Sequence, residues 1–148
     1  MVNVVVTGPE SSGTRFVSQW LEAHPEVVAR HWSMPSGEAW ARHWPTDHDF
    51  EGAAPDAIVF VVRDFEATIA SQIDRDMVTC REEAEANIVQ AHLRVLAWAV
   101  SHGCPLYPLA YESITADHSR FDALFGWLGV DPVPSPQPVV DATLARLS

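Results

Sequence analysis

The stretch VVVTGPESSGTRF, from Val4 to Phe16, joins an apolar run to a loop of glycine, proline, serine and threonine. Its β-branched start is typical of a buried strand. Gly8 and Gly13 bracket a turn, after which apolar residues recur at helical spacing. The two glycines match the Walker spacing, but Thr14 and Arg15 stand where that pattern requires Lys and then Ser or Thr. A strand, a glycine-bounded loop and a helix in this order predict an anion site at the helix N-terminus.

Strands and helices alternate along the rest of the chain. The predicted elements after the first strand are a helix over Gly13–Ala23, strands over Glu26–Arg30 and Ala57–Val62, helices over Phe65–Ile73 and Arg81–His102, a strand over Pro105–Ala110 and a helix over Ser119–Leu128. This alternation predicts an α/β protein, with residues 1–148 forming a single domain around a central parallel sheet of about four to five strands. We expect a three-layer, P-loop-like fold.

The longest predicted helix, Arg81–His102, carries a stripe of apolar residues at helical spacing. This stripe is predicted to face the core, with His92 as a hydrogen-bonded core histidine, and it comprises Ile88, Val89, His92, Leu93, Leu96 and Val100. Gly103 is the expected end of the helix. The strand that follows contains Pro108, which places it near a sheet edge.

The charge balance limits the ligands that the protein can take. The chain has nine arginines, no lysine and twenty carboxylates, for a net charge of −11. Because no basic stripe is present, we expect no nucleic-acid partner. A small anion is still allowed, since charges beyond about 8 Å are largely screened at physiological salt. Any mechanism that needs a lysine is excluded.

Several features favour a cytoplasmic protein without a membrane partner. No apolar run approaches the roughly 20 residues that span a bilayer. The N-terminus enters a strand directly, without a basic region typical of a signal peptide. Cys80 and Cys104 are in no metal-ligand spacing and are interpreted as reduced thiols, with one disulfide left open as the alternative.

A second motif, VVRDFEATIASQ, ends the strand Ala57–Val62 with Arg63 and places Ser71 eight residues later. In parallel sheets, ligands gather at the carboxyl ends of strands. Arg63 and Ser71 are therefore predicted to bind one phosphate near the first loop. A hydrogen bond to a charged group contributes roughly 1.5–3 kcal/mol, against about 0.3–1 kcal/mol for a helix dipole. The alternative is a strand-end arginine beside an ordinary helical serine.

Three segments together resemble sulfotransferases that use 3′-phosphoadenosine-5′-phosphosulfate (PAPS). SSGTRFVSQWLEAHPEV resembles their 5′-phosphosulfate loop and its helix, including the GTR and HP-x-V of carbohydrate sulfotransferases. VVRDFEATIAS is similar to their 3′-phosphate motif. LAYESITADHSRFDALFGWLGVD resembles the segment that follows in many members, and the three pieces occur in family order.

The resemblance implies a PAPS-binding enzyme that transfers a sulfuryl group to a hydroxyl or amine of a small-molecule or carbohydrate acceptor. It implies that Ser11, Ser12, Gly13 and Thr14 hold the 5′-phosphosulfate and that Arg63 and Ser71 hold the 3′-phosphate. Tyr111 corresponds to a tyrosine near the adenine. Many members have Lys or Arg where Ser11 stands, and Arg15 is the candidate substitute for that catalytic, cofactor-binding cation.

His31 is the candidate general base for the acceptor hydroxyl. A neutral imidazole suits proton abstraction, and its position at the end of the second predicted strand is similar to that of a histidine in cytosolic members. The alternative is a surface or packing histidine. Trp32, Trp40 and Trp44 are assigned either to an acceptor pocket or to core packing.

Other interpretations remain open at this point. No metal site is expected, because His43, Asp47, His48 and Asp49 fit no zinc pattern and favour a solvated acidic loop. A divergent P-loop nucleotide kinase is disfavoured by the missing lysine and by the lack of an arginine-rich lid. A non-catalytic nucleotide-binding module is the second alternative, and Ser11 is the residue that favours it.

Overall fold

A computed structural model describes residues 1–9, 11–34 and 55–135. In chain order the elements are β1 (Val2–Pro9), α1 (Thr14–Glu22), β2 (Val27–Met34), β3 (Ala57–Val62), α2 (Phe65–Asp74), α3 (Arg81–His102), β4 (Leu106–Ala110), α4 (Tyr111–Ala116) and α5 (Arg120–Leu128). The predicted alternation of strands and helices is therefore confirmed over these ranges.

The four strands form one parallel sheet in the order β2-β1-β3-β4. Strand β1 is central and pairs with β2 along its whole length, from Val2 opposite Val27 to Pro9 opposite Met34. On its other side, β1 pairs with β3. Strand β4 lies at the edge of the described sheet, as Pro108 predicted. The predicted α/β class and parallel sheet are confirmed, with four strands among the described residues.

The central strands are apolar throughout because successive side chains point to opposite faces of the sheet and both faces are buried. Val4 and Val6 belong to one core cluster, together with residues of α1 and α5. Val5 belongs to a second cluster, together with β3 and α3. The second cluster consists of Val5, Ile58, Phe60, Ala91, Val95, Trp98 and Ala99.

Helix α1 is anchored to the core by Trp20. Its indole ring stacks on Phe121 of α5, with the ring centroids 3.9 Å apart and the planes 3° from parallel. The indole N–H donates to the carbonyl oxygen of Val133 at 2.9 Å, so the buried polar atom of the ring is satisfied. These contacts fix the last turn of α1 in the core cluster that it shares with α5.

The prediction for the face of α3 was wrong. The side chains that it buries are Ala84, Ile88, Ala91, Val95, Trp98 and Ala99. Of the predicted stripe, Ile88 is buried, whereas Val89, Leu93, Leu96 and Val100 are exposed. The helix carries apolar residues on two sides, and periodicity does not say which side meets the sheet. His92 is half-buried, with Nδ1 2.7 Å from the Ile88 carbonyl oxygen and its ring edge-on to Phe60.

Two further differences concern element bounds. Strand β2 extends to Met34, beyond the predicted end at Arg30, because it keeps pairing with β1. Helix α4 was not predicted, and at six residues it is too short to show a clear period. Among the described helices, none has the length and apolar character required to cross a membrane.

Candidate functional site

The candidate site lies at the carboxyl edge of the sheet, where the strand order reverses. Strand β1 runs between β2 and β3, so the connections that leave β1 and β3 diverge from this point. In open parallel sheets, such a switch point forms a crevice that accepts ligands. At this edge, β1 is followed by the loop that contains Ser11–Gly13. Strand β3 is followed by Arg63, and β4 is followed by Tyr111.

The loop before α1 has an unusual backbone. Ser11 has a φ of 65° and Gly13 a φ of 95°, whereas the φ of Ser12 between them is negative. Alternation in the sign of φ is a property of backbone nests, which turn successive N–H groups toward one anion. The Ser12 N–H donates to the Pro9 carbonyl oxygen at 3.2 Å, which closes the turn. No side chain caps the start of α1 within the described residues.

Gly8 allows the loop to fold back onto the sheet. A β-carbon at this position would lie 2.5 Å from the Val61 carbonyl oxygen and 2.8 Å from Ser12 Oγ. No real side chain tolerates such distances, so the close approach of β1, β3 and the loop requires glycine. The first glycine of the Walker-like spacing is thus explained by backbone packing.

Gly13 is enclosed by the aromatic ring of Tyr111. A β-carbon at Gly13 would lie 2.5 Å from Cε2 of that ring, and the left-handed φ also favours glycine. Tyr111 is 4% exposed and packs edge-on against Phe16. The tyrosine that the resemblance places near the adenine therefore has its ring against the loop backbone.

Arg63 joins the ends of three strands. Its Nη1 donates to the carbonyl oxygen of Ser11 at 2.7 Å. Its guanidinium carbon lies 5.8 Å from the centroid of the Tyr111 ring, within the range of a cation–π interaction. The Ser11 carbonyl thus receives a charged donor, which helps to hold Ser11 in its left-handed conformation. The Ser11 hydroxyl points to the Met77 sulfur, 3.7 Å away.

Three buried hydroxyls have no hydrogen-bond partner within the described ranges. They are Thr7 Oγ1 in β1, Ser12 Oγ in the loop and Ser71 Oγ in α2. Helix α2 begins at Phe65, as predicted, and Asp64 caps it by accepting from the Ala67 N–H at 2.8 Å. Buried polar groups without partners are rare in proteins and often mark a site for water or a ligand.

Thr14 and His31 form a second cluster on the β2 side of the loop. Thr14 Oγ1 lies 2.7 Å from His31 Nε2. Burial lowers the pKa of His31 below its ordinary value, and the positive charge of Arg15 lowers it further. The imidazole is therefore neutral near pH 7, and Nε2 accepts from the Thr14 hydroxyl when the ring proton is on Nδ1.

The position of His31 in its strand differs from the prediction. His31 is paired with Val6 inside β2, three residues before the strand ends at Met34. His31 therefore does not lie at the tip of the strand, and its ring contacts Thr14 at the start of α1. Arg15, in the first turn of α1, is exposed.

The predicted site residues therefore form two groups, and the members of each group interact with one another. The first contains Ser11, Gly13, Arg63 and Tyr111, and the second contains Thr14, Arg15 and His31. The Ser71 hydroxyl makes no hydrogen bond to Arg63 or to any other described residue. Thr7 was not predicted as a site residue, although a threonine near the carboxyl end of a buried apolar strand is a usable signal.

Other candidate residues are not part of this geometry. Within the described ranges, no cluster of three or more His, Cys, Asp or Glu side chains has a metal-binding arrangement. The acidic loop with His43, Asp47, His48 and Asp49, together with Trp40, Trp44 and the side chain of Trp32, lies outside the described residues. Comparison of the chain with models of known protein families and with curated proteins gives no match.

Proposed function

We propose that the protein is a small sulfotransferase-like enzyme with a three-layer, P-loop-like fold. It binds PAPS and transfers the sulfuryl group to a hydroxyl or amine of a small-molecule or carbohydrate acceptor. The observation that carries the proposal is the contact between Arg63 and the Ser11 carbonyl at the strand-order reversal. This contact joins the two segments that, by resemblance, hold the two anionic ends of one nucleotide.

The residues present fit a ligand with two separate anionic groups. One anion point is the start of α1, where the first helical N–H groups have no acceptor within the helix and the dipole is positive. Because the Ser12 N–H is used inside the loop, the donors in this proposal are those of Gly13 and Thr14. The other point combines Arg63 with the buried, unpartnered hydroxyl of Ser71. A phosphate would satisfy that hydroxyl.

PAPS, when bound, supplies an activated sulfuryl group. The chain's own residues bind it and shape the site. Arg63 holds the loop through the Ser11 carbonyl, and Tyr111 packs its ring against Gly13. Arg15, exposed in the first turn of α1, adds a positive charge at the same end of the helix. This charge takes the place of the cation that many related enzymes have where Ser11 stands.

His31 acts in this proposal as the base for the acceptor hydroxyl. Its lowered pKa keeps the imidazole unprotonated near neutral pH, which a base requires. As a base, the ring carries its proton on Nε2, donates it to Thr14 Oγ1 and keeps the Nδ1 lone pair for the proton of the acceptor. We expect His31→Ala to lower turnover by about 10²-fold or more while cofactor affinity barely changes.

The decisive experiment compares 3′-phosphoadenosine-5′-phosphate (PAP) with ADP by titration calorimetry. The two ligands carry the same kind of adenosine, but only PAP has a 3′-phosphate. We expect PAP to bind at least about tenfold more tightly, corresponding to about 1.4 kcal/mol or more. Equal affinities, or tighter binding of ADP, would overturn the proposal and favour the kinase interpretation.

A second candidate function is a nucleotide-binding module without catalysis. The observation that favours it is Ser11 itself, a neutral residue whose hydroxyl contacts the Met77 sulfur, where many related enzymes have Lys or Arg. Tight binding of PAP without sulfuryl transfer to a panel of hydroxyl and amine acceptors would support this second function. Transfer to any acceptor, lost in His31→Ala, would support the first.

A further inference from the structure

Helix α3 has a second apolar stripe that no described residue covers. Its members, which we call the α3 seam, are Val89, Leu93, Leu96 and Val100, and all four are exposed. Val100 retains 81% of its accessible surface and Leu93 retains 57%. The opposite side of the helix packs on the sheet through Ala91, Val95 and Trp98. The seam therefore faces away from the core of its own chain.

The residues of the α3 seam have the spacing of apolar residues at the interface between two paired helices. The four residues are separated by four, three and four positions, which is the alternation that keeps one stripe facing a partner helix. The order of these spacings is the same from either end. The seam is thus symmetric about a point between Arg94 and Val95.

This symmetry makes the α3 seam complementary to itself in an antiparallel arrangement. If two copies are related by a twofold axis at the midpoint, Val89 of one copy meets Val100 of the other, and Leu93 meets Leu96. A twofold interface requires such a self-complementary patch. We propose that the α3 seam is a homodimer interface, formed by antiparallel packing of two α3 helices.

The charges on α3 favour a second copy in this orientation. Although the chain has twenty Asp and Glu residues, none lies from Ala86 to His102. The acidic residues of the helix, Glu82, Glu83 and Glu85, are in its first turns. In the antiparallel pair the Glu85 residues of the two copies are about 28 Å apart along the axis, well beyond the screening length. A parallel pair would place them side by side.

The size of the seam sets the expected affinity. Four apolar residues per copy form a small patch, and interfaces below about 1,200 Å² belong to weak complexes. We expect a monomer–dimer equilibrium with a dissociation constant on the order of 10–100 μM. Each copy carries a net charge of −11, so added salt should strengthen association by screening the repulsion between copies.

Sedimentation of the full chain over a range of concentrations tests the proposal. Leu93→Glu and Leu96→Glu should each weaken dimerisation by about 50-fold or more, because each puts a carboxylate into the centre of the interface. Ser101→Glu adds the same charge one residue after Val100 but away from the seam, and should leave the equilibrium unchanged. A wild-type chain that stays monomeric at about 1 mM, or equal effects of all three variants, would overturn the proposal.

Disulfide trapping tests the orientation without relying on the stability of a glutamate variant. In a background with Cys80→Ser and Cys104→Ser, Val89→Cys mixed with Val100→Cys should form a covalent dimer, while either protein alone should not. Two copies of residue 89 lie about 16 Å apart along the antiparallel pair, too far for a disulfide. Dimers from each single protein, but not from the mixture, would contradict the antiparallel arrangement. Failure of PAP binding in the same preparations would bear only on the proposed function.

Discussion

The Nη1 atom of Arg63 lies 2.7 Å from the carbonyl oxygen of Ser11, although the two residues are 52 positions apart in the chain. The residue that follows β3 thereby holds the loop that follows β1. Since the Tyr111 ring packs against both Arg63 and Gly13, the ends of β1, β3 and β4 form one connected edge. An anion entering this edge meets a loop whose shape is already set.

Arg63→Ala and Ser71→Ala should both weaken PAP binding. Their effects on the stability of the ligand-free protein should differ, because only Arg63 contacts the loop. Arg63→Ala should weaken PAP binding by about 1.5–3 kcal/mol, or roughly ten- to hundredfold, because a charged donor is lost. The same change should weaken AMP binding less, because AMP has no 3′-phosphate and loses only the support that Arg63 gives to the loop. Calorimetry with both nucleotides checks this selectivity. Equal losses for PAP and AMP would mean that Arg63 acts only through general electrostatics or through the loop.

Ser71→Ala is the matched variant that leaves the loop contact intact. Its hydroxyl is buried without a partner, so its removal should leave the free energy of unfolding unchanged or slightly higher. PAP affinity should fall, by less than in Arg63→Ala, because a hydroxyl carries no charge. Urea unfolding and calorimetry on the same variant give the two values. A variant that loses stability but keeps its PAP affinity would assign Ser71 to the core.

Gly13→Ala should destabilise the protein strongly because of the Tyr111 ring. The substitution adds a β-carbon in a left-handed conformation and within contact of the ring, so we expect a loss of about 3 kcal/mol or more. Gly129→Ala is the control, since Gly129 has a φ of 79° but no atom within 4 Å of an added β-carbon. That change should cost about 1–2 kcal/mol. Urea unfolding of both variants isolates the contribution of the ring, and equal losses would show that it contributes nothing.

The lowered pKa of His31 predicts a specific acid sensitivity. Below pH 6.5 the unfolded chain takes up a proton at this residue before the folded chain does. The free energy of unfolding therefore declines as the pH falls from 6.5 through the folded-state pKa, and this contribution becomes constant once both states are protonated. His31→Gln should show a smaller decline between pH 7.5 and about 5. An unchanged decline would assign the effect to other groups.

Arg15→Gln separates the two causes of that pKa shift. An NMR titration of the His31 ring, assigned by its absence in His31→Gln, should give a higher pKa in Arg15→Gln than in the wild-type protein. The value should stay below 6.5, since burial is the larger cause and is not removed. A pKa that does not move would show that Arg15 is too far from the ring to affect it.

Trp20→Phe tests the anchoring of α1. The change removes the donor to the Val133 carbonyl and part of the ring stacked on Phe121, so we expect a loss of about 2–4 kcal/mol. Trp127→Phe is the matched control, because Trp127 is 42% exposed. It should change the free energy of unfolding by less than about 1 kcal/mol. Similar losses in the two variants, measured by urea unfolding, would contradict the anchoring role.

Local patterns in the sequence were sufficient to predict most of the helices and strands. The strand Ala57–Val62 and the helix Arg81–His102 have the predicted bounds, and Gly103 ends its helix as expected. These features depend on interactions within a few residues, such as caps, β-branched runs and turn glycines. The glycine-bounded loop before α1 was recognisable for the same reason.

Only the tertiary structure decided which face of α3 is buried and which residues complete the site. Apolar residues lie on two sides of α3, so the choice between them depends on the sheet, whose second core cluster receives Ala91, Val95 and Trp98. The contacts from Arg63 to Ser11 and from Tyr111 to Gly13 join residues far apart in sequence. They exist because the strand order β2-β1-β3-β4 brings the ends of β1, β3 and β4 to one edge, and strand order is a global property that no local pattern encodes.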